Sequence, residues 1–393
     1  MKRIIIFCCL TLMGVDIMAQ YEGNGNYGLF QDEFDIPGRT WDAYTYEESG
    51  DKWRAYLRGS GITHGKWEHQ AYQRSQCVFD VTDSMMLLTS DYISDIDISC
   101  DDLERPYNGN CIIDENYHIR YLSGALQSLE KSFLYGYFEM RCKLPVHRGA
   151  FPAFWLWGQC RPENNGCDDP HYEEIDIFEY SWGITDPEEN SYSDGWGDNK
   201  CYTMGMYYNT TGNSDSLTIK CSVARKMARL SSNASNLNDW NTFGCLWMPD
   251  KVEWYTNGEM VNSYYDVDSI PHNPMYLMAN YAINSYAYNQ QNETFYYTGL
   301  DTMYIDYIRV YQPIWDCGTS IIIEEQDDIN SYVYGIKSSV TICSNSNAPI
   351  VIAPNHKLDI MASESVTING PFQVDVGAEF SIKMQKCPEQ INR

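Results

Sequence analysis

Six residues constrain this chain more than any other segment: Glu174-Ile175-Asp176-Ile177-Phe178-Glu179. Three carboxylates sit in a run that is otherwise apolar and β-branched, the composition of a buried strand. Side chains alternate along a strand, so Glu174 and Asp176 share one face while Ile175 and Ile177 take the other. Glu179, five residues after Glu174, falls on the wrong face of a regular strand. One bulge near Ile177-Phe178 adds a residue out of register and returns Glu179 to the side of the other two acids. The segment therefore predicts a row of three acids on a sheet, with apolar residues behind them.

Acids placed that way cost free energy unless they are paired or do chemistry. Two carboxylates flanking a sugar are what glycosidic bond cleavage requires: one attacks or stabilises the anomeric carbon, and the other protonates the leaving oxygen. A third acid can push the pKa values of the first two apart. The plainer alternative is a solvated strand face with acidic decoration. The intervening Ile, Ile and Phe argue against it.

The hexapeptide resembles the catalytic strand of glycoside hydrolase family 16, in the bulged form found in laminarinases, agarases and carrageenases. Other segments resemble the family in the same order. Leu29-Phe30-Gln31-Asp32-Glu33-Phe34-Asp35 with Trp41 is similar to its opening strand. Tyr135-Gly136-Tyr137-Phe138-Glu139-Met140-Arg141 and Phe151-Pro152-Ala153-Phe154-Trp155-Leu156 match two central strands. Trp247-Met248-Pro249-Asp250 and Trp254-Tyr255-Thr256-Asn257-Gly258 resemble a hairpin, and Met275 to Asn280 and Ile305-Asp306-Tyr307-Ile308-Arg309-Val310-Tyr311 complete the set. The resemblance spans roughly residues 28 to 312.

It implies a concanavalin A-like β-jelly-roll sandwich, with Glu174 as nucleophile, Glu179 as general acid/base and Asp176 between them. The pattern of the chain agrees independently. Short runs of Val, Ile, Tyr, Phe and Trp are punctuated by Gly, Asn, Asp and Pro, which reads as an all-β antiparallel sandwich. The best helical candidate is residues 221–230. Aromatic side chains bury the apolar faces of sugars, and on that ground Trp155 and Tyr172 are expected to contact substrate. Core packing is the competing role for Trp155 and for Trp157. Tyr208 and Asn280 match positions that line the family's cleft. Gln127 stands where glucan-cleaving relatives often carry Arg, and Ile283-Asn284 replaces a usual Gly-Gly. Glu139 and Arg141 share a face and can pair with each other. His171 and His272 lack metal-ligand spacing. No cofactor is expected for catalysis; the resemblance implies a structural Ca²⁺ at Asp306, an acid in an apolar run, with hydrogen bonding to a neighbouring loop as the alternative.

Residues 1–19 read as a cleaved secretory signal: Lys2 and Arg3, an apolar run over 4–15, and a small-residue site ending at Ala19. The run is too short to span a bilayer, and no later segment is apolar enough. A secreted, periplasmic or cell-surface monomer is expected. The formal net charge of −27 argues against nucleic acid as partner and favours a neutral polysaccharide over a sulfated one. The expected activity is endo-hydrolysis of a β-1,3- or mixed-linkage β-glucan with retention. The alternatives are an agar-, porphyran- or carrageenan-type galactan, transglycosylation, or glycan binding without catalysis.

Of 14 cysteines, 12 lie beyond the signal, an even number that permits disulfides in an exported chain. Cys100–Cys111 and Cys160–Cys167 bracket polar loops and are the expected bridges. Cys142 and Cys245 lie in strand-like runs and read as buried thiols. Cys317, Cys343 and Cys387 cannot all pair among themselves. Residues 89–115 and 186–200 read as loops that set substrate length preference. The catalytic unit is placed at 20–313, with a linker over 313–318. A small all-β module occupies 314–393; its alternating runs resemble stacked-strand segments at the C-termini of exported bacterial proteins, and it could bind glycan, attach the protein to a surface or stabilise the first domain.

Overall fold

The structure is a computed structural model. It describes residues 27–42, 45–57, 68–93, 119–147, 149–158, 173–180, 184–186, 191–192, 200–209, 220–230, 236–283, 299–330, 332, 335–344 and 348–388. The signal segment, Tyr172, His171, most of the 89–115 insertion and the proposed Cys100–Cys111 and Cys160–Cys167 bridges lie outside the described residues.

Two sheets face each other as a β-jelly-roll sandwich, one of ten strands and one of seven. The seven-stranded sheet runs in the order Lys220–Arg229, Cys201–Asn209, Glu173–Glu179, Ala150–Gly158, Met275–Ile283, Ala125–Phe133, Trp53–Arg54. All of its pairings are antiparallel. Alternation sorts the side chains: Phe154, Leu156, Ile175, Ile177, Leu277 and Ala279 enter the main core between the sheets, whereas Ala153, Trp155, Trp157, Tyr276 and Met278 cluster on the outer face. The ten-stranded sheet closes the core from the other side with Phe138, Met140, Phe243, Trp247, Trp254 and Ile308, all fully buried. Asn257 and Gly258, with φ of 50° and 81°, turn the Lys251–Thr256 strand into Glu259–Tyr264. Two consecutive positive φ values are what a tight hairpin turn demands, and Asn-Gly meets that demand at least cost.

The helical reading of 221–230 is overturned. Lys220–Arg229 is an edge strand paired with Cys201–Asn209, with a register shift between Met204 and Met206 and Ala224 at a φ of 53°. Over ten residues a helical and a bent-strand pattern cannot be told apart, and the sheet edge decides.

The linker reading of 313–318 is also overturned. Leu300–Pro313 is followed after one residue by the strand Trp315–Ile323. Trp315 packs edge-on against Tyr135 with ring centroids 5.9 Å apart, and Cys317 is bonded to Cys387. From here the chemistry of the sheet changes. Trp315–Ile323, Ile336–Cys343, Lys357–Asn369 and Glu379–Met384 pair in parallel, and Ile350–Ile352 pairs in parallel with Phe372–Val374. The chain thus passes repeatedly between two sheets as a short stacked coil. Its own core contains Ile323, Val340, Ile342, Ile350, Ile352, Leu358 and Ile360. Of the three C-terminal cysteines, Cys343 is left as a free thiol, and Cys142 and Cys245 are buried thiols.

Candidate active site

Glu173–Glu179 carries the bulge. Against Cys201–Asn209 it pairs Glu174 with Tyr207, Asp176 with Gly205 and Glu179 with Thr203, so three residues are spanned on one strand for two on the other. Against Ala150–Gly158 the register slips between Asp176 and Phe178. The extra residue sends Ile177 and Phe178 both into the core and leaves Glu174, Asp176 and Glu179 on the outer face. Glu174 and Asp176 are buried there, and Glu179 is half-buried.

The neighbouring strands supply the surroundings row by row. Glu174 lies opposite Trp157, and Trp157 opposite Tyr276. Asp176 lies opposite Trp155, which is followed across the sheet by Met278, Gln127 and Arg54. Glu179 lies opposite Ala153, followed by Asn280 and Ala125. Trp155 and Trp157 stack on one another at 5.4 Å. The result is an acid row with an aromatic pair directly beside it, and both rings are buried, Trp155 5% and Trp157 3% exposed, in the cluster on the outer face.

Trp155 is held by a chain of buried hydrogen bonds. Its Nε1–H donates to Asn280 Oδ1 at 2.7 Å, and Asn280 Nδ2 donates to the Tyr72 hydroxyl at 3.0 Å. Burial, and then the charge of Glu68, push the Tyr72 phenol well above its ordinary pKa, so the hydroxyl stays neutral. Gln70 continues the wall by bonding Glu68 and by accepting the Ile283 N–H at 2.7 Å. Asn280 therefore stands in the row of Glu179 and Ala153, and its amide orients the Trp155 ring.

The backbone of the bulge is gripped from both sides. Thr203 Oγ1 donates to the Glu179 carbonyl at 3.3 Å. From the opposite sheet, the fully buried Trp254 donates its indole N–H to the Asp176 carbonyl at 2.8 Å. Phe178 packs on Phe243 at 4.5 Å. Sequence reasoning missed these supports: alternation marks Trp254 as a core residue but does not say which carbonyl its N–H reaches.

The other expected residues divide. Tyr208 pairs with Glu173, a register position on the face opposite the acids, and Tyr207 is the residue that stands opposite Glu174. Gln127 shares the level of Asp176 but stands three strands away, roughly 14 Å at the usual strand spacing, and is fully buried. Glu139 and Arg141 do not pair. Glu139 accepts from the Tyr137 and Tyr307 hydroxyls at 2.8 and 2.7 Å, and Arg141 pairs with Asp306. Asp306 is the extra residue of a second bulge, between Ile305 and Tyr307, which sets it beside Arg141. The guanidinium supplies the positive charge that a calcium ion was expected to bring, and among the described residues no group of three or more His, Cys, Asp or Glu could hold a metal. His272 binds the Tyr135 hydroxyl at 2.8 Å as a structural residue.

A jelly-roll sandwich with a bulged row of three acids beside stacked tryptophans defines a carbohydrate-active class of protein. The family model for glycosyl hydrolases family 16 matches residues 71–309, and the chain belongs to that family. Among curated relatives, the endo-1,3-1,4-beta-glycanase ExsH of Rhizobium meliloti (strain 1021) is 27% identical over 195 residues, covering 49% of this chain and 33% of that protein. The chain thus spans about a third of the length of the first curated relatives it matches. Among solved structures, the laminarinase catalytic domain of Thermotoga maritima MSB8 is 21% identical, covers 74% of this chain and 99% of that one, and gives a TM-score of 0.50. Porphyranase B of Zobellia galactanivorans is 18% identical over 73% of this chain and 92% of that one, with a TM-score of 0.52. These likenesses establish the fold.

Proposed function

We propose that the protein is a secreted, retaining endo-β-glycosidase acting on a neutral β-1,3- or mixed-linkage β-glucan. The observation that carries this reading is the bulge at Ile177-Phe178, which gathers Glu174, Asp176 and Glu179 on one face beside Trp155 and Trp157. A retaining reaction needs two carboxyl groups about 5–5.5 Å apart. Glu174 attacks the anomeric carbon while Glu179 gives its proton to the departing glycosidic oxygen, and a covalent glycosyl-enzyme forms. Glu179, now a base, then takes a proton from water as that water attacks the same carbon and releases Glu174. Asp176, between them, disfavours a second negative charge nearby and so helps keep Glu179 protonated for the first step. The net charge of −27 favours an uncharged glucan, because a sulfated chain is repelled at long range.

The test is a reducing-sugar assay on laminarin, mixed-linkage glucan, agar, porphyran and carrageenan, followed by product sizing and proton NMR of the first anomer released. Oligosaccharides of the β-anomer from laminarin or mixed-linkage glucan are expected. Release from a galactan alone would move the substrate, α-anomer product would remove retention, and no release from any would remove the enzyme reading. Export is tested separately: the N-terminus of the protein recovered outside the cell should begin at Gln20.

A further inference from the structure

We infer that Trp254, on the sheet opposite the acids, is a positioning residue for the reaction: its indole N–H sets the bulge that carries Asp176 and Glu179. The inference rests on the glycosidase reading above. Trp254 lies on Lys251–Thr256, next to the edge strand Glu259–Tyr264 of the ten-stranded sheet, and its ring lies in the core between the sheets. It donates to the carbonyl of Asp176 at 2.8 Å, across 78 residues of sequence.

That carbonyl is where the register breaks. Up to Asp176 the strand is in regular pairing with both neighbours; immediately after it, the pairing slips by one residue on each side. Regular ladders hold their peptide planes by repetition, but a bulge has no such template and its plane must be fixed by something outside the ladder. From the core side, Trp254 supplies that fixture by a hydrogen bond and Phe243 by packing on Phe178 at 4.5 Å. Both come from neighbouring strands of the same sheet, since Cys245 pairs with Trp254 and Phe243 with Thr256. The Asp176–Ile177 peptide plane determines where Asp176 points and how far the chain has turned by Glu179. A small rotation there changes the separation of Glu179 from Glu174, on which a retaining reaction depends.

A matched control exists in the same sheet. Trp247 is also fully buried, and its indole N–H also donates to a backbone carbonyl, that of Pro271, at 2.9 Å, but away from the bulge. Trp254→Phe and Trp247→Phe therefore remove the same bond type and the same volume. Both are expected to lower the melting temperature. Only Trp254→Phe should lower kcat, by on the order of tenfold or more, with KM within about twofold of wild type and the acid limb of the pH profile displaced. Trp254→His, which keeps a ring N–H, should recover part of kcat. Active sites are counted by trapping with an activated 2-deoxy-2-fluoro glucan oligosaccharide, so that kcat refers to folded enzyme. Equal kcat per site in Trp254→Phe and Trp247→Phe would overturn the inference. So would failure of both Trp254 variants to fold where Trp247→Phe folds, because the bond would then be structural only. Wild-type inactivity on every glycan would instead defeat the glycosidase reading itself.

Discussion

Removing the side chain of Asn280 tests whether the aromatic pair is oriented by its polar wall. Asn280 is 5% exposed and bridges two buried groups, accepting from Trp155 Nε1 at 2.7 Å and donating to the Tyr72 hydroxyl at 3.0 Å. Asn280→Ala removes two hydrogen bonds worth about 1 kcal/mol each and strands a buried indole N–H at a further cost of about 1 kcal/mol or more, roughly 3 kcal/mol together. At roughly 2–3 °C per kcal/mol for a domain of this size, the midpoint of thermal unfolding should fall by roughly 6–9 °C. Tyr72→Phe removes only one partner and should cost about 1 kcal/mol. If the three groups act as a chain, the double variant costs less than the sum of the singles by at least about 0.5 kcal/mol. If Trp155 contacts the glucan as proposed, its freed ring should also raise KM more than it lowers kcat, because such a contact is made in both ground and transition state. Melts by circular dichroism and initial rates on the preferred glucan read both effects. Additivity within about 0.3 kcal/mol together with an unchanged KM would refute the linkage between wall and aromatic pair.

Glu174→Gln should abolish turnover while leaving the melting temperature near that of wild type, and activity close to wild type would reject the nucleophile. Glu179→Ala should spare activated aryl glycosides and respond to azide by forming a glycosyl azide; no rescue would place the acid/base elsewhere. The Arg141–Asp306 pair is about one-third exposed on each side chain, so Arg141→Ala should lower stability by less than about 1 kcal/mol. Melts in EDTA and in excess calcium should coincide, and a calcium-dependent rise that Asp306→Ala abolishes would replace the ion pair with a metal. Asp32 should contribute to acid sensitivity. Burial pushes its carboxyl up, but the paired Arg39 guanidinium, with the Phe34 and Trp53 N–H donors, holds it below its ordinary 3.8. A carboxyl lowered on folding stabilises above its unfolded pKa and loses that contribution as pH falls through the folded value. The stability gap between wild type and Asp32→Asn should therefore be full at pH 5 and shrink below about pH 4. A gap that widens on acidification would contradict the pairing.

The acid row was legible because its determinants are local. Alternation along a strand is a property of the backbone, so the spacing of Glu174, Asp176 and Glu179 demands a bulge at Ile177-Phe178 wherever the strand is placed. The sandwich was legible for the same reason: short β-branched and aromatic runs with turn residues between them can bury their apolar faces only against one another. The alternating runs after residue 320 likewise announce strands, although the sequence does not say that they pair in parallel. The tertiary structure decided what depends on partners distant in the chain. Residues 221–230 carry a pattern open to helix or strand, and the free edge beside Cys201–Asn209 made them a strand. Arg141 could have paired with Glu139, two residues away on the same face, but a bulge brought Asp306 closer while two tyrosine hydroxyls satisfied Glu139. Cys317 found Cys387 rather than Cys343. Trp254 reads as one more core aromatic until the sheets close and its N–H meets the carbonyl of Asp176. Periodicity specifies the face a residue takes, whereas the partner it meets there depends on register and on which sheet lies opposite, and both are set only when the whole chain has packed.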